Sequence, residues 1–405
     1  MSAFVYQGLA PERHADPYPA YAAARAEGAI LPYRLGDVPV HLITRYEECA
    51  AVLTGADWGH GYSAGISPFR DTVAAIPGSF VRMDPPEHGR LRTLVNKAFT
   101  PRTVAGYAAT IDGLVDGLVA KAARTGGLDA LADLAVPLAL AMIPGRLLGA
   151  PAEDGALLRE WQLAIARGSD PDDLLPADAI ARRGVAARAT LQYFGRIVAA
   201  RGSEPGEDLL GLLIAAHRDH GLLDAPEVLG ISLLTLVAGM ETSVNLIGNG
   251  LLALLRHPEQ LELLRERPGL IGPAIDEMLR YDAPTQFTIR VALRETTVGD
   301  HTFARGAGVV VLTASASRDE TVFADADRFD ITRYDGPHPA RRHLGFSLGL
   351  HYCVGAPLAR MEAEAAIGQL LQRGGELRLA ADEVQYQPSL IHRGLLALPM
   401  LTGTR

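Results

Sequence analysis

Between Leu229 and Leu255 the chain reads LGISLLTLVAGMETSVNLIGNGLLALL, and Glu241 is the one charged side chain in that run. A stretch of this length could span a bilayer. It therefore has to be either a membrane helix or a long helix through the middle of a large domain. Glu241, Asn245 and Asn249 follow one another at four-residue steps, which places them on one helix face. Such a polar stripe is costly toward lipid and can be satisfied toward a protein interior. The expectation is a buried central helix.

The rest of the chain supports a large helical domain. Its 405 residues exceed the usual size of one small core. The 48% hydrophobic content excludes a disordered chain. Ala/Leu-rich stretches with charges at helical spacing predict helices over about 102–125, 152–167, 177–201, 207–217, 258–266, 270–281 and 355–373. Short strand-like runs are Val38–Thr44, Phe287–Leu293 and Val309–Thr313. No long linker or repeat divides the sequence. The fold class expected is mainly α with a small β portion, a single domain over 1–405, with residues 1–14 as a short flexible lead.

A net charge of −9, from 38 Lys plus Arg against 47 Asp plus Glu, argues against nucleic acid as a partner. Two cysteines, Cys49 and Cys353, cannot build a disulfide framework, and the N-terminus lacks the order of a signal peptide. A cytoplasmic protein without a membrane partner is expected.

Cys353 is the most informative residue. It lies in Gly345-Phe346-Ser347-Leu348-Gly349-Leu350-His351-Tyr352-Cys353-Val354-Gly355-Ala356-Pro357, just ahead of the helical run LARMEAEAAIGQLLQR. Amide N–H groups at a helix start favour a thiolate, so a lowered thiol pKa is expected. Gly349 and Gly355 would let a flat ligand approach the backbone. Such a thiolate could ligate a metal or haem iron, or act as a nucleophile.

Phe346, Gly349, His351, Cys353 and Gly355 resemble the haem-binding loop of the cytochrome P450 family, F-x-x-G-x-H-x-C-x-G; Ser347 departs from it, since the family usually has glycine there. Three further motifs occur in the family's order. Ala238-Gly239-Met240-Glu241-Thr242-Ser243 resembles its oxygen-activation motif, and Glu277-Met278-Leu279-Arg280 its E-x-x-R pair. Met83 to Arg92 resembles the start of a helix covering one haem edge. The resemblance runs from about residue 15 to about 400.

The resemblance implies a fold with the long central helix over the haem, and haem b as cofactor. Cys353 would be the iron ligand. His88, Arg92, Arg290 and His351 would hold the propionates by charge-assisted hydrogen bonds. Phe346, Gly355 and Ala238 would lie against the cofactor. Glu241 and Thr242, in a distorted, hydrated stretch of helix, would form the proton relay to dioxygen. Glu277 and Arg280 would be structural, joined by a later arginine expected to be Arg328 in Ala326-Asp327-Arg328-Phe329.

A monooxygenase is implied, inserting one oxygen atom from O2 into a C–H bond or double bond of an apolar or amphipathic small molecule, in natural-product biosynthesis. No flavin or iron–sulfur region follows the cysteine segment, so electrons are expected from a ferredoxin and its ferredoxin reductase, docking on Arg90, Lys97, Arg102, Arg341, Arg342 and Arg360. Substrate contacts are expected from 57–82, 160–180, Val237 with Ala238, Ala283–Ile289 and Ile391–Leu395, with Trp58, Phe69, Phe80 and Phe287 as apolar surface. Glycine-rich composition at 59–65 suggests a mobile entrance.

Three other readings compete. Gly248-Asn249-Gly250-Leu251-Leu252-Ala253 fits a dinucleotide fingerprint, but it continues a helical run instead of following a strand. A Cys/His hydrolase explains Cys353 and none of the other motifs. A non-catalytic haem sensor or carrier shares the loop, but has no use for Glu241 and Thr242.

Overall fold

Ala225–Arg256 forms one unbroken helix of 32 residues. A capping box starts it: Asp224 accepts from the Glu227 amide at 2.7 Å, and Glu227 accepts from the Asp224 amide at 3.0 Å. Neighbouring elements come very close to it. A Cβ on Gly230 would fall 1.6 Å from the Pro77 carbonyl oxygen, and one on Gly250 would fall 2.5 Å from Met278 Sδ. The glycines of the apparent dinucleotide fingerprint are thus packing notches inside a helix. The computed structural model describes residues 15–202, 204–381 and 383–403; the expected flexible lead at 1–14 lies outside them.

The other expected helices are present, Pro258–Glu266 at its expected bounds and the rest with shifted ends. They include Ala108–Thr125, Gly155–Arg167, Ala177–Ala200, Leu209–Arg218, Pro258–Glu266, Ile271–Tyr281 and Ala356–Arg373. A helical stretch without a sequence signal covers Ala130–Leu147, where wide π turns flank Val136–Leu140. Pro137 and Pro144 remove amide donors there, which disrupts regular α winding. This stretch and the central helix both have the length and composition of a membrane span, yet 56% and 67% of their respective apolar windows are buried in the fold. Their apolar surface is spent on internal packing.

The three predicted strands occur as Val38–Ile43, Thr288–Ala292 and Gly308–Val311, within one five-stranded sheet. Two strands of this sheet were not legible. Ile30–Leu35 carries Pro32, and it sits on the sheet edge, where a missing donor is tolerated. Trp58–Gly59 is only two residues long and pairs with Thr288–Ala292, placing Gly59 opposite Val291. The result is a single, mostly helical domain with a small sheet portion; its main core gathers around the central helix.

Candidate functional site

Cys353 follows the short turn Gly349–His351, and its amide donates to the Phe346 carbonyl at 3.0 Å. The sulfur accepts from the amides of Gly355 and Ala356 at the start of Ala356–Arg373. Those amides and Arg92 pull the thiol pKa down, but burial dominates and leaves it raised. The expected lowering by the helix start is real but smaller than the cost of desolvation. Gly355 keeps open space beside the sulfur, since a Cβ there would lie 4.0 Å from Sγ. Gly349 has a different reason to be glycine. Its φ is +65°, and a Cβ would lie 2.3 Å from the Leu53 carbonyl oxygen, so it accommodates the helix Tyr46–Thr54 and not a flat ligand. Ser347 takes φ +62°, a conformation that favours glycine.

Two networks hold this loop. Glu277 and Arg280, both fully buried, pair at 2.7 and 2.8 Å. The arginine that joins them is Arg333, 3.2 Å from Glu277; Arg328 is exposed and offers only its carbonyl to Arg280, at 3.0 Å. The Arg328 expectation is therefore corrected. In the second network, His343 contacts Asp276 at 2.9 Å and receives the Gly345 amide at 3.1 Å, while Arg360 also pairs with Asp276. The Phe346 ring lies between His343 at 5.8 Å and the Arg360 guanidinium at 5.6 Å.

The four expected propionate residues converge. His88, on Glu87–Asn96, is fully buried and its ring centroid is 4.4 Å from that of His351. Neither ring nitrogen of His88, nor Nε2 of His351, has a hydrogen-bond partner. Arg290 is buried beside them and bonds locally to Thr288 Oγ1 at 2.9 Å and the Ile289 carbonyl at 2.8 Å. Arg92 donates to Asn96 Oδ1 at 2.9 Å and to the Tyr352 carbonyl. Burial, then Arg290, His88 and Arg92, push His351 down to about 2. Burial and Arg82 bring Arg290 down to about 10.

These bases crowd one another without a carboxylate of their own. Asp84 is committed to the His60 and Gly61 amides at 2.7 and 2.8 Å, and Asp71 is 2.6 Å from Arg82. Orphaned buried donors beside a sulfur ligand fit a tetrapyrrole, whose iron would take Cys353 and whose two carboxylates would take the cations.

On the central helix, Ala238 is exposed and Thr242 half-buried while most of their neighbours are buried, so this short face of the helix is open. The helix keeps its regular winding here, contrary to the expected distortion. Thr242 Oγ1 instead donates back to the Ala238 carbonyl at 2.6 Å. Glu241 is buried and fully engaged: Oε2 takes Arg159 at 2.8 Å and Gln162 at 3.3 Å, and Oε1 takes Gln387 at 2.6 Å. Arg159, Gln162 and Gln387 carried no sequence signal. The polar stripe faces segment 386–395, as Gln387 reaches Asn245 at 3.5 Å and Asn249 donates to the Arg393 carbonyl at 3.0 Å.

Other expectations separate. Trp58, Phe69, Phe80 and Phe287 are all buried core residues. The front of the glycine-rich 59–65 loop is clamped by Asp84, which argues against a freely mobile entrance there. Arg90, Arg341 and Arg360 already pair with Glu227, Glu47 and Asp276. Lys97, Arg102 and Arg342 are exposed and have no acidic partner among the described residues.

Comparison with known proteins identifies the family. The cytochrome P450 family description matches residues 270–396. The chain is 38% identical over 394 residues to cytochrome P450 monooxygenase PikC of Streptomyces venezuelae, covering 95% of this chain and 91% of that protein. It is 34% identical to 6-deoxyerythronolide B hydroxylase of Saccharopolyspora erythraea over 96% of each. Among solved structures, P450BioI in complex with a fatty-acyl-ligated acyl carrier protein superposes with a TM-score of 0.87 at 36% identity, over 97% of this chain and 100% of that one. CalO2 gives 0.87 at 32% identity over 98% and 99%. Full-length likeness to named monooxygenases favours an enzyme over a haem sensor or carrier. With a cysteine loop, a cation cradle and an acid–alcohol pair on one central helix, this chain belongs to the cytochrome P450 family and is a haem-thiolate monooxygenase that works on small molecules with redox partners.

Proposed function

We propose that the haem is haem b, with Cys353 as thiolate ligand and His88, Arg92, Arg290 and His351 holding its propionates. Phe346, Gly355 and Ala238 lie against the cofactor. The observation that carries this assignment is the pair of unpartnered imidazoles, His88 and His351, beside buried Arg290 and one short turn from Cys353. When bound, the group supplies O2 activation and insertion of one oxygen atom into a C–H or double bond.

Thr242 would hold the proton to be delivered, on the hydroxyl that bonds to the Ala238 carbonyl. Glu241 resupplies it. Because both carboxylate oxygens are occupied by Arg159, Gln162 and Gln387, delivery requires one of these contacts to open during turnover. The substrate is an apolar or amphipathic natural product of the polyketide kind, a reading supported by the names of the relatives. Electrons come from a ferredoxin and its reductase, with Lys97, Arg102 and Arg342, which lack an acidic partner among the described residues, as docking cations. The chain acts in the cytoplasm, as one functional unit over 1–405.

Turnover of a polyketide panel with ferredoxin, reductase and isotope-labelled dioxygen tests this. One labelled atom per product is expected. Electron consumption with no labelled product from any compound would contradict it.

A further inference from the structure

His60 stands out among the buried side chains that the assignment above leaves unused. It is 2% exposed, and its Nδ1 has no hydrogen-bond partner. Its ring lies edge-on to that of His351, with centroids 5.1 Å apart, and His351 in turn meets His88 at 4.4 Å. Three imidazoles therefore run in a row along the cation cluster. A histidine that served only the core would have that nitrogen bonded within the fold.

The chain fixes His60 in this place by two independent ties. Gly59 pairs with Val291 in the sheet, next to Arg290 on the same strand. Asp84 accepts both the His60 and Gly61 amides, at 2.7 and 2.8 Å, and Asp84 introduces the helix bearing His88 and Arg92. Gly59 has to lack a side chain for this clamp, because a Cβ would lie 2.2 Å from Asp84 Oδ1. Tyr62 lies parallel to the His60 ring, 6.2 Å away. The groups facing His60 are Arg82, Arg290, His88 and His351, all basic. The row of imidazoles is not grouped to hold a metal ion, as no such set of three ligands occurs among the described residues. What the site lacks is an anion with oxygen acceptors.

We infer that His60 is a further haem-anchoring residue, donating from its unpartnered ring nitrogen to a propionate carboxylate alongside His351 and Arg290. This rests on the haem assignment proposed above. It adds a contact from the loop after Trp58–Gly59, a segment in which the sequence offered no cofactor signal.

The test compares holoenzyme with His60→Phe and His60→Gln, following haem transfer to excess apomyoglobin and the propionate bending bands in resonance Raman spectra. His60→Phe is expected to lose haem about tenfold faster, the effect of losing one charge-assisted hydrogen bond. His60→Gln, which keeps a donor, is expected to lose it more slowly than His60→Phe while still shifting the propionate bands. The carbon monoxide spectrum of both variants is expected to match that of the parent, because Cys353 is untouched. Parent-like transfer rates and bands in His60→Phe would overturn the inference. Should that variant yield no folded protein, unchanged bands in His60→Gln would overturn it. Failure of the haem assignment itself would show separately, as a parent protein without a thiolate-type carbon monoxide spectrum.

Discussion

Arg159 Nη1 and Glu241 Oε2 lie 2.8 Å apart, joining the helix Gly155–Arg167 to the centre of the helix over the site. Glu241 is 1% exposed at its side chain and Arg159 16%, so this is a largely desolvated ion pair. Removing one partner of such a pair leaves a buried charge uncompensated. Arg159→Leu is expected to destabilise the fold by about 3 kcal/mol in urea unfolding. Adding Glu241→Gln is expected to restore much of that loss. Equal stability of Arg159→Leu and the parent would contradict the pairing.

Thr242→Ala removes the hydroxyl proposed to hold the delivered proton and leaves the helix intact, since that hydroxyl bonds to its own helix carbonyl. Electron consumption is expected to continue while product per electron falls by on the order of a hundredfold, the low end of the range for losing a positioned proton donor. Product yield against NADPH consumed measures it.

Arg333 and Arg328 separate the two readings of the buried Glu277 network. Arg333→Ala breaks a contact 3.2 Å from a fully buried carboxylate and is expected to lower haem retention and stability. Arg328→Ala removes an exposed side chain whose carbonyl does the bonding, and is expected to change stability by less than about 0.5 kcal/mol. Haem-to-protein ratio and thermal unfolding report both.

Glu362 on Ala356–Arg373 is 1% exposed. Burial pushes it from 4.5 up to about 8, against a smaller lowering by Ser243. An acid raised on folding is protonated in the folded state where the unfolded chain has already released its proton. Its contribution is therefore present below 4.5 and lost as pH climbs through 8. Glu362→Gln is expected to flatten the fall in stability across that window and to be the more stable protein at its upper end. Denaturant midpoints measured at a series of pH values check this.

Ser347 holds φ +62° and buries a hydroxyl without a partner. Ser347→Gly is expected to stabilise the cysteine loop by about 1 kcal/mol, the cost of a left-handed turn for a residue with a Cβ. A rise in melting temperature of the holoenzyme with an unaltered absorption spectrum is the readout.

The sequence was most legible where local pattern and family motif coincide. The polar face of the central helix, the turn before Cys353, and His88 with Arg92 on one helix all follow from spacing. What decided the rest lies far away in the chain. Arg333 displaced Arg328 because the coil, and not its composition, sets which guanidinium reaches Glu277. Arg159 and Gln387 bind Glu241 across 82 and 146 residues, a distance no periodicity covers. The raised thiol of Cys353 reflects burial, which a helix-start argument does not contain. Ile30–Leu35 escaped notice because Pro32 is tolerated only where a strand turns out to be an edge.

The reduced protein's absorption spectrum under carbon monoxide tests the central claim most directly. A strongly red-shifted Soret band, lost in Cys353→His with haem still bound, is the predicted result. A band at the position of nitrogen-ligated haem in the parent protein, or no haem absorption after reconstitution, would contradict it.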